Sequence, residues 1–392
     1  MFAPFSTPKT SRTLKTQKRF PMHKSLVAVF FLSFAARTVL AESPSPILLP
    51  EGLELVAAVD APFGNLTVTN DRRIIVSLHQ HFQPEPRVAE IIGTDKIRPF
   101  PNEEWNDPDR SDPERLDTVL GVQFDTKGVV WMLDNGMRSG ITPKLVGWHL
   151  DEDRLYQVIE IPEPVSHPRS FFNDLAVDRE SDHIFIADPM GDRSALVVVD
   201  VSSGNARRVL EGHVSVVPED IDLVINQRPA EIRPPEGEPF RPRVGVNPIA
   251  LDAANEWLYF GPMHGTAIYR ARTRDLIDAS LSADELAERV ERFGNKPISD
   301  GSSVNNAGYI YITDIGNNAI GAVTPQGSYR QLFQDDNLLL WPDAFAFGPD
   351  NFVYVVVNQL HLGPVLNAGN DVTEPPFLIL RFHDPEGGVI GR

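Results

Sequence analysis

The chain has 392 residues, 42% of them hydrophobic and 23% charged, which is the balance of an ordinary globular protein. Its formal net charge of −18 at pH 7 argues against nucleic acid or an anionic membrane surface as a partner. It contains no cysteine, which excludes a disulfide framework, a thiolate metal site, a cysteine nucleophile and a lipidated cysteine anchor.

The N-terminus reads as a targeting segment. Lys9, Arg12, Lys15, Lys18, Arg19 and Lys24 form a basic region. LVAVFFLSFAA (residues 26–36) is a short apolar run, and Val39-Leu40-Ala41 has the small residues of a cleavage site. Together they predict a secretory signal peptide over residues 1–41 and a secreted or periplasmic mature protein. The apolar run falls short of the ~20 residues a helix needs to span a bilayer, so no integral membrane segment is expected after its removal.

The remainder, residues 42–392, is larger than a single core usually grows, and its pattern repeats. The segments NLTVTNDRRIIVSL, GVQFDTKGVVWMLD, DLAVDRESDHIFIAD, PIALDAANEWLYFG, GSSVNNAGYIYITD and AFAFGPDNFVYVVVN each set a polar turn between two β-branched or aromatic runs. Each is a pair of strands joined by a hairpin. Anchored on Thr69, Asp125, Asp178, Asp252, Asn305 and Gly348, they recur at intervals of about fifty residues. Further strand-like runs follow in most units, such as ALVVVD (195–200) after the third. Six such units of about four strands predict an all-β fold, a six-bladed β-propeller. LELVAAV (53–59) precedes the first unit, and FLILRF (377–382) is the last run of the sixth. The N-terminal strand is expected to complete the last blade and cover its open edge.

Two insertions break the period. Residues 211–243 are rich in Pro, Glu and Arg and read as a long surface loop, either a lid or a plain excursion. Ser282-Ala283-Asp284-Glu285 is a capping box. Leu286, Val290 and Phe293 continue it as one apolar stripe and Gly294 follows, which predicts a helix over 282–293.

The first strand of each blade lines the central channel, so residues at one register face one mouth. Five positions before each anchor stand Gly64, Leu120, Asn173, Asn247, Asp300 and Asp343, with Asn65 one residue later in blade one. Asn173, Asn247 and Asp300 converging from separate strands suit a hard divalent cation such as Ca²⁺, which takes several oxygen ligands. Asp300 or Asp343 would serve as the base for chemistry beside it. The same residue types also open strands as turn formers, so the column alone leaves a purely structural reading open. His79, His81, His264 and His361 are further polar candidates, each equally at home as a hydrogen-bonded structural residue. No Gly-rich phosphate loop or nucleophile elbow is present. The five tryptophans, Trp105, Trp131, Trp148, Trp257 and Trp341, read as packing residues.

Several stretches carry a family resemblance. RVAEII and IRPFPNEEWN (within 87–106), FFNDLAVD (171–178), VNPIALD and WLYFGPMHGTAIYR (within 246–270), LSADELAERVERFGNKPISDG (281–301) and LLWPDAFAFGPDNFVYVVVNQLH (339–361) resemble the major royal jelly protein/yellow family in its bacterial form. The resemblance implies a six-bladed propeller that is secreted or periplasmic. It also implies small-molecule ligands, since insect members include food, pigmentation and ligand-binding proteins, and some yellow proteins convert dopachrome. The register is similar as well to the senescence-marker/gluconolactonase propellers, which hold a divalent metal with one Glu, two Asn and one Asp. Asn173, Asn247 and Asp300 match the two Asn and the Asp, the last being also the general base of those enzymes. No Glu stands at Gly64 or Asn65, and Asp343 is an added carboxylate. The resemblance thus implies a metal-dependent lactonase-like hydrolase, a non-catalytic binding propeller or, by family analogy, a dopachrome-type conversion with a proton shuttle among His79, His264 and His361.

Overall fold

The structure, a computed structural model, describes residues 49–107, 115–234 and 237–392. The expected signal peptide lies outside the described residues. Six four-stranded antiparallel sheets form the six blades of a β-propeller. Their inner strands are Phe63–Val68, Val119–Phe124, Leu175–Asp178, Val246–Leu251, Ser302–Val304 and Pro342–Phe347. Five anchor residues of the repeat directly follow one of these strands and the sixth, Asp178, is the last residue of its strand, because the hairpin turn begins there.

The ring closes as the repeat predicts. Glu54–Val59 is the outermost strand of the sixth blade, antiparallel to Phe377–His383, with Val59 opposite Phe377 and Glu54 opposite Arg381. Arg381 Nε donates to Glu54 Oε2 at 2.8 Å across that pair. The chain start thereby satisfies the donors and acceptors of an edge that would otherwise be open.

The core lies between blades rather than around the channel. Ala57, Val59, Phe63 and Leu66 pack against Ala346, Tyr354, Val356 and Ile379 to seal blade six to blade one. Trp131, Leu133 and Ile159 meet Leu175, Ile184 and Val197 between blades two and three. Middle strands such as Ile184-Phe185-Ile186-Ala187 are buried on both faces, which explains their unbroken apolar sequence.

The insertion in blade four differs from its sequence reading. The capping box forms, with Ser282 and Glu285 bonding reciprocally, but the helix covers only Ala283–Ala287. The residues after it turn into the outermost strand Glu291–Asn295, so Phe293 belongs to a sheet and not to a helical stripe. Gly294 serves close approach: a Cβ there would stand 2.6 Å from the Gly327 carbonyl oxygen. A second short helix, Thr273–Ile277, accompanies the first. The 211–243 loop carries a small hairpin, Val224–Ile225 with Arg228–Pro229.

Candidate functional site

The six column residues Gly64, Leu120, Asn173, Asn247, Asp300 and Asp343 all line one cavity of about 140 Å³ at a mouth of the channel. Asn173 Nδ2 donates to Asn247 Oδ1, and Asn247 Nδ2 donates to Asp300 Oδ1. Trp341 Nε1 donates to Asp300 Oδ2 at 2.6 Å. Four blades therefore contribute to one continuous polar chain, since Trp341, read from sequence as packing, stands directly before the inner strand of blade six and is part of it. Asp343 stands outside the chain and accepts from Asn358 Nδ2. Gly301 lets blade five press against blade six here, since a Cβ would lie 2.2 Å from the Asp343 carbonyl oxygen.

A third carboxylate joins the site. Asp174 lines the cavity and accepts from Asn65 Nδ2 at 3.0 Å. Strict strand alternation would turn it away from a cavity that Asn173 faces. A bulge prevents this: Asn173 N–H donates to Ala187 O at 3.1 Å, and Ala187 N–H donates to Asp174 O at 2.9 Å, so two residues oppose one. The register slips at the same height in the inner strands of blades one, two, four and six, for example between Phe63 and Leu66 and between Pro342 and Phe345. Bulges re-aim two successive residues in most blades, which is how Asn65 and Asp174 enter the site.

The electrostatics are lopsided. Among the described residues, no Lys or Arg side chain lines the cavity. Asp300 is 8% exposed, and Asp174 and Asp343 are half-buried. Burial raises Asp174 to about 7, with the charge of Asp300 adding to it against hydrogen bonds from Leu175 and Asn65. Burial likewise raises Asp300, opposed by its bonds from Trp341 and Asn247. Asp343 rises well above the usual carboxylate range through burial and the charges of Asp300 and Asp174. Among the described residues, the three carboxylates repel one another with no cationic side chain lining the cavity beside them.

The histidines frame the cavity without forming a relay. His79, His81 and His264 line it. His79 Nδ1 accepts from His81 N–H at 3.2 Å, and His264 Nδ1 accepts from Val244 N–H at 3.2 Å. His361 lies parallel to Trp341, with centroids 6.2 Å apart and planes 9° apart. Burial, chiefly, holds His81, His264 and His361 down at about 4, so all three are neutral at pH 7.

The long loop is a wall of the site. Leu223, Ala230, Ile232, Pro242 and Val244 line the cavity. His264 fastens both ends of the loop: Glu219 N–H donates to its carbonyl at 2.7 Å, and its own N–H donates to Val244 O at 3.1 Å. Asn318 Nδ2 ties the loop hairpin to blade five through Asn226 Oδ1 at 2.8 Å.

The head groups of Asn173, Asn247 and Asp300 are linked in sequence through Asn247, which suits an oxygen-coordinated ion once the amide oxygens turn inward. Among the described residues, no three His, Cys, Asp or Glu side chains form a ready metal cluster, so the amides are indispensable to any such site. The blade-one ligand has no room: a Cβ on Gly64 would meet Ser77 Oγ at 2.8 Å.

The family model for the major royal jelly proteins matches residues 118–380. The chain belongs to the major royal jelly protein family. Among curated royal jelly proteins of Apis mellifera, it is 22% identical to major royal jelly protein 1 over 244 residues, 58% of this chain and 53% of that one. To major royal jelly protein 6 it is 23% identical over 249 residues, 60% of this chain and 53% of that one. The chain spans about half the length of the curated relatives it matches. Among solved structures, a luciferin-regenerating enzyme superposes with a TM-score of 0.53 at 10% identity, covering 86% of this chain and 97% of that one. A gluconolactonase-like propeller gives 0.52 at 14% identity, covering 87% and 95%. At such identities the likeness is one of fold. Among the described residues of this royal jelly family member, no helix is long and apolar enough to cross a membrane.

Proposed function

We propose that this secreted or periplasmic propeller is a lactonase-like hydrolase that opens a cyclic ester at the channel mouth with a divalent cation, Ca²⁺ by preference. The observation that carries the reading is the crowding of Asp174, Asp300 and Asp343 in one cavity without a Lys or Arg to neutralise them. Buried like charges are costly, and such an arrangement persists where a ligand or a reaction uses it.

Asn173, Asn247 and Asp300 would hold the cation. When bound, it would polarise the ester carbonyl and lower the neighbouring carboxylates. Asp300 is engaged at both oxygens, by Asn247 and by Trp341, which fixes its orientation and suits it to ligation. Asp343 is held through Oδ2 by Asn358 and faces the cavity, which suits it to proton transfer. In this scheme Asp343 takes a proton from water as the water oxygen attacks the carbonyl carbon. The ring C–O bond then breaks, the proton passes to the departing oxygen, and an open-chain hydroxy acid leaves. Environments that raise a carboxyl toward neutrality favour this two-way traffic.

Elemental analysis of the purified protein, with hydrolysis of a lactone panel, tests the reading. Bound divalent metal and turnover in the wild type, both lost in Asp300→Ala, support it. Absence of metal from both proteins and of turnover at every metal loading overturns it. Gly64 favours one other reading, a non-catalytic small-ligand-binding propeller, because it withholds the fourth ligand of the lactonase pattern. Ligand-induced thermal stabilisation without turnover would select that reading.

A further inference from the structure

The cavity has two unlike halves. Its floor is polar: Asn65, Asn173, Asp174, Asn247, Asp300 and Asp343. Its outer walls are apolar and come from two separate segments. The loop and the residue directly after it supply Leu223, Ile232 and Val244, while the stretch after the second strand of blade six supplies Leu360, Val365 and Leu366. Leu223 packs with Met263 and Trp341 in a single cluster to which Val244, Leu360 and Leu366 adhere. These walls are organised before any ligand arrives. Arg243 bridges Asp220 and Asp222 at 2.8 Å each, and His264 pins both ends of the loop.

Size and chemistry then restrict the ligand. A volume of about 140 Å³ is close to the ~150 Å³ in which an engineered apolar cavity takes up benzene, so one six-membered ring fills it and a substituent extends outward along the walls toward the open mouth. These two apolar segments offer no side-chain hydrogen-bond partner to the hydroxyls of a polyol, and burying such hydroxyls unpaired against them is unfavourable; the polar lining outside the floor is His79, His81 and His264. An anionic substituent would meet three carboxylates and no cationic side chain among the described lining residues. An alkyl or aryl group gains from the same walls.

We propose that the site takes a neutral lactone bearing an alkyl or aryl substituent, the ring on the carboxylate–amide floor and the substituent between Leu223, Ile232 and Val244 on one side and Leu360, Val365 and Leu366 on the other. This rests on the lactonase reading for the reaction but not for the shape of the ligand. The walls select against sugar lactones, although the floor shares its Asn, Asn and Asp with enzymes of that type.

The experiment is a homologous series: δ-valerolactone, its 6-alkyl derivatives up to pentyl, and glucono-1,5-lactone. The matching 6-alkyl-2-piperidinones, which resist hydrolysis, serve as binding probes by calorimetry. Burial of each methylene raises kcat/KM about fourfold until the cleft is filled, and glucono-1,5-lactone is no better than unsubstituted δ-valerolactone. Ile232→Ser and Leu366→Ser flatten the dependence on chain length, and Ile232→Leu retains it. A flat alkyl series, or a preference for glucono-1,5-lactone, overturns the inference while leaving the lactonase reading intact. If no lactone turns over, that reading fails, and the piperidinone series decides the inference alone. Affinity rising with chain length supports it, and affinity that does not change or is absent overturns it.

Discussion

Two sets of buried carboxylates occupy this propeller, and they are built in opposite ways. Asp134 and Asp188 end the second strands of blades two and three. Asp134 accepts the N–H groups of Asp117 at 2.8 Å and Thr118 at 2.9 Å and meets Lys144 Nζ at 3.2 Å. Asp188 accepts from Ser170 Oγ at 2.7 Å and Phe171 N–H at 2.9 Å and pairs with Arg208 at 2.7 Å. Each has a cation and backbone donors. Asp174, Asp300 and Asp343 have amides, an indole and one another. The fold supplies positive charge to one set and withholds it from the other, which separates carboxylates that hold the scaffold from those available to a ligand.

The comparison can be broken by substitution. Removing one partner of a buried ion pair strands the other, so Asp134→Ala and Asp188→Ala each cost about 3–5 kcal/mol in denaturant unfolding. A loss under ~1 kcal/mol from both, within the range of exposed pairs, would erase the distinction. Asp300→Ala leaves a folded propeller but lowers lactone kcat/KM by roughly 10²–10⁴-fold, the range for a positioned catalytic group. Unaltered turnover would remove Asp300 from the site.

Asp343→Asn sharpens the comparison by stability. Asp174 is raised to about 7, and Asp343 is raised well above the usual range. These two carboxyls therefore hold more protons in the native state than in the unfolded chain above about pH 4, and without a cation their share of stability falls as pH rises through about 7. Asp343→Asn removes part of that decline and is the more stable protein at pH 8. Equal pH slopes in the two proteins would contradict the mutual repulsion. The histidines act with opposite sign: His81, His264 and His361 sit at about 4 in the native state, so their share of stability is lost as pH falls from about 6.5 to about 4. Above about pH 6.5 that share is constant, and the window up to pH 8 isolates the carboxylates. The smallest effect is a control remote from both sets: Ser282→Ala removes a helix cap for about 1 kcal/mol and leaves turnover unaltered.

The propeller was legible because its hairpins repeat, and a repeat fixes a register. That register put Asn173, Asn247, Asp300 and Asp343 in one column, and the six column residues line one cavity. Asp174 was not legible, because alternation assigns neighbouring residues to opposite faces and a bulge at Asn173-Asp174 cancels the rule. Trp341 was missed because an indole N–H bond to a carboxylate from another blade leaves no local pattern. The 282–293 helix was overextended because a capping box marks where a helix starts, whereas its end was set by the pairing of Glu291–Asn295 with Ala267–Arg272. The loop revealed its composition but not its position, since long-range contacts through His264 place it over the site.

The most direct test is thermal unfolding with and without Ca²⁺ at pH 5 and pH 8, on the wild type and Asp300→Asn. Protons compete with a cation for the same carboxylates. Ca²⁺ is expected to stabilise the wild type at pH 8, little at pH 5, and Asp300→Asn at neither pH. Stabilisation independent of pH and of Asp300, or none at pH 8, would contradict this.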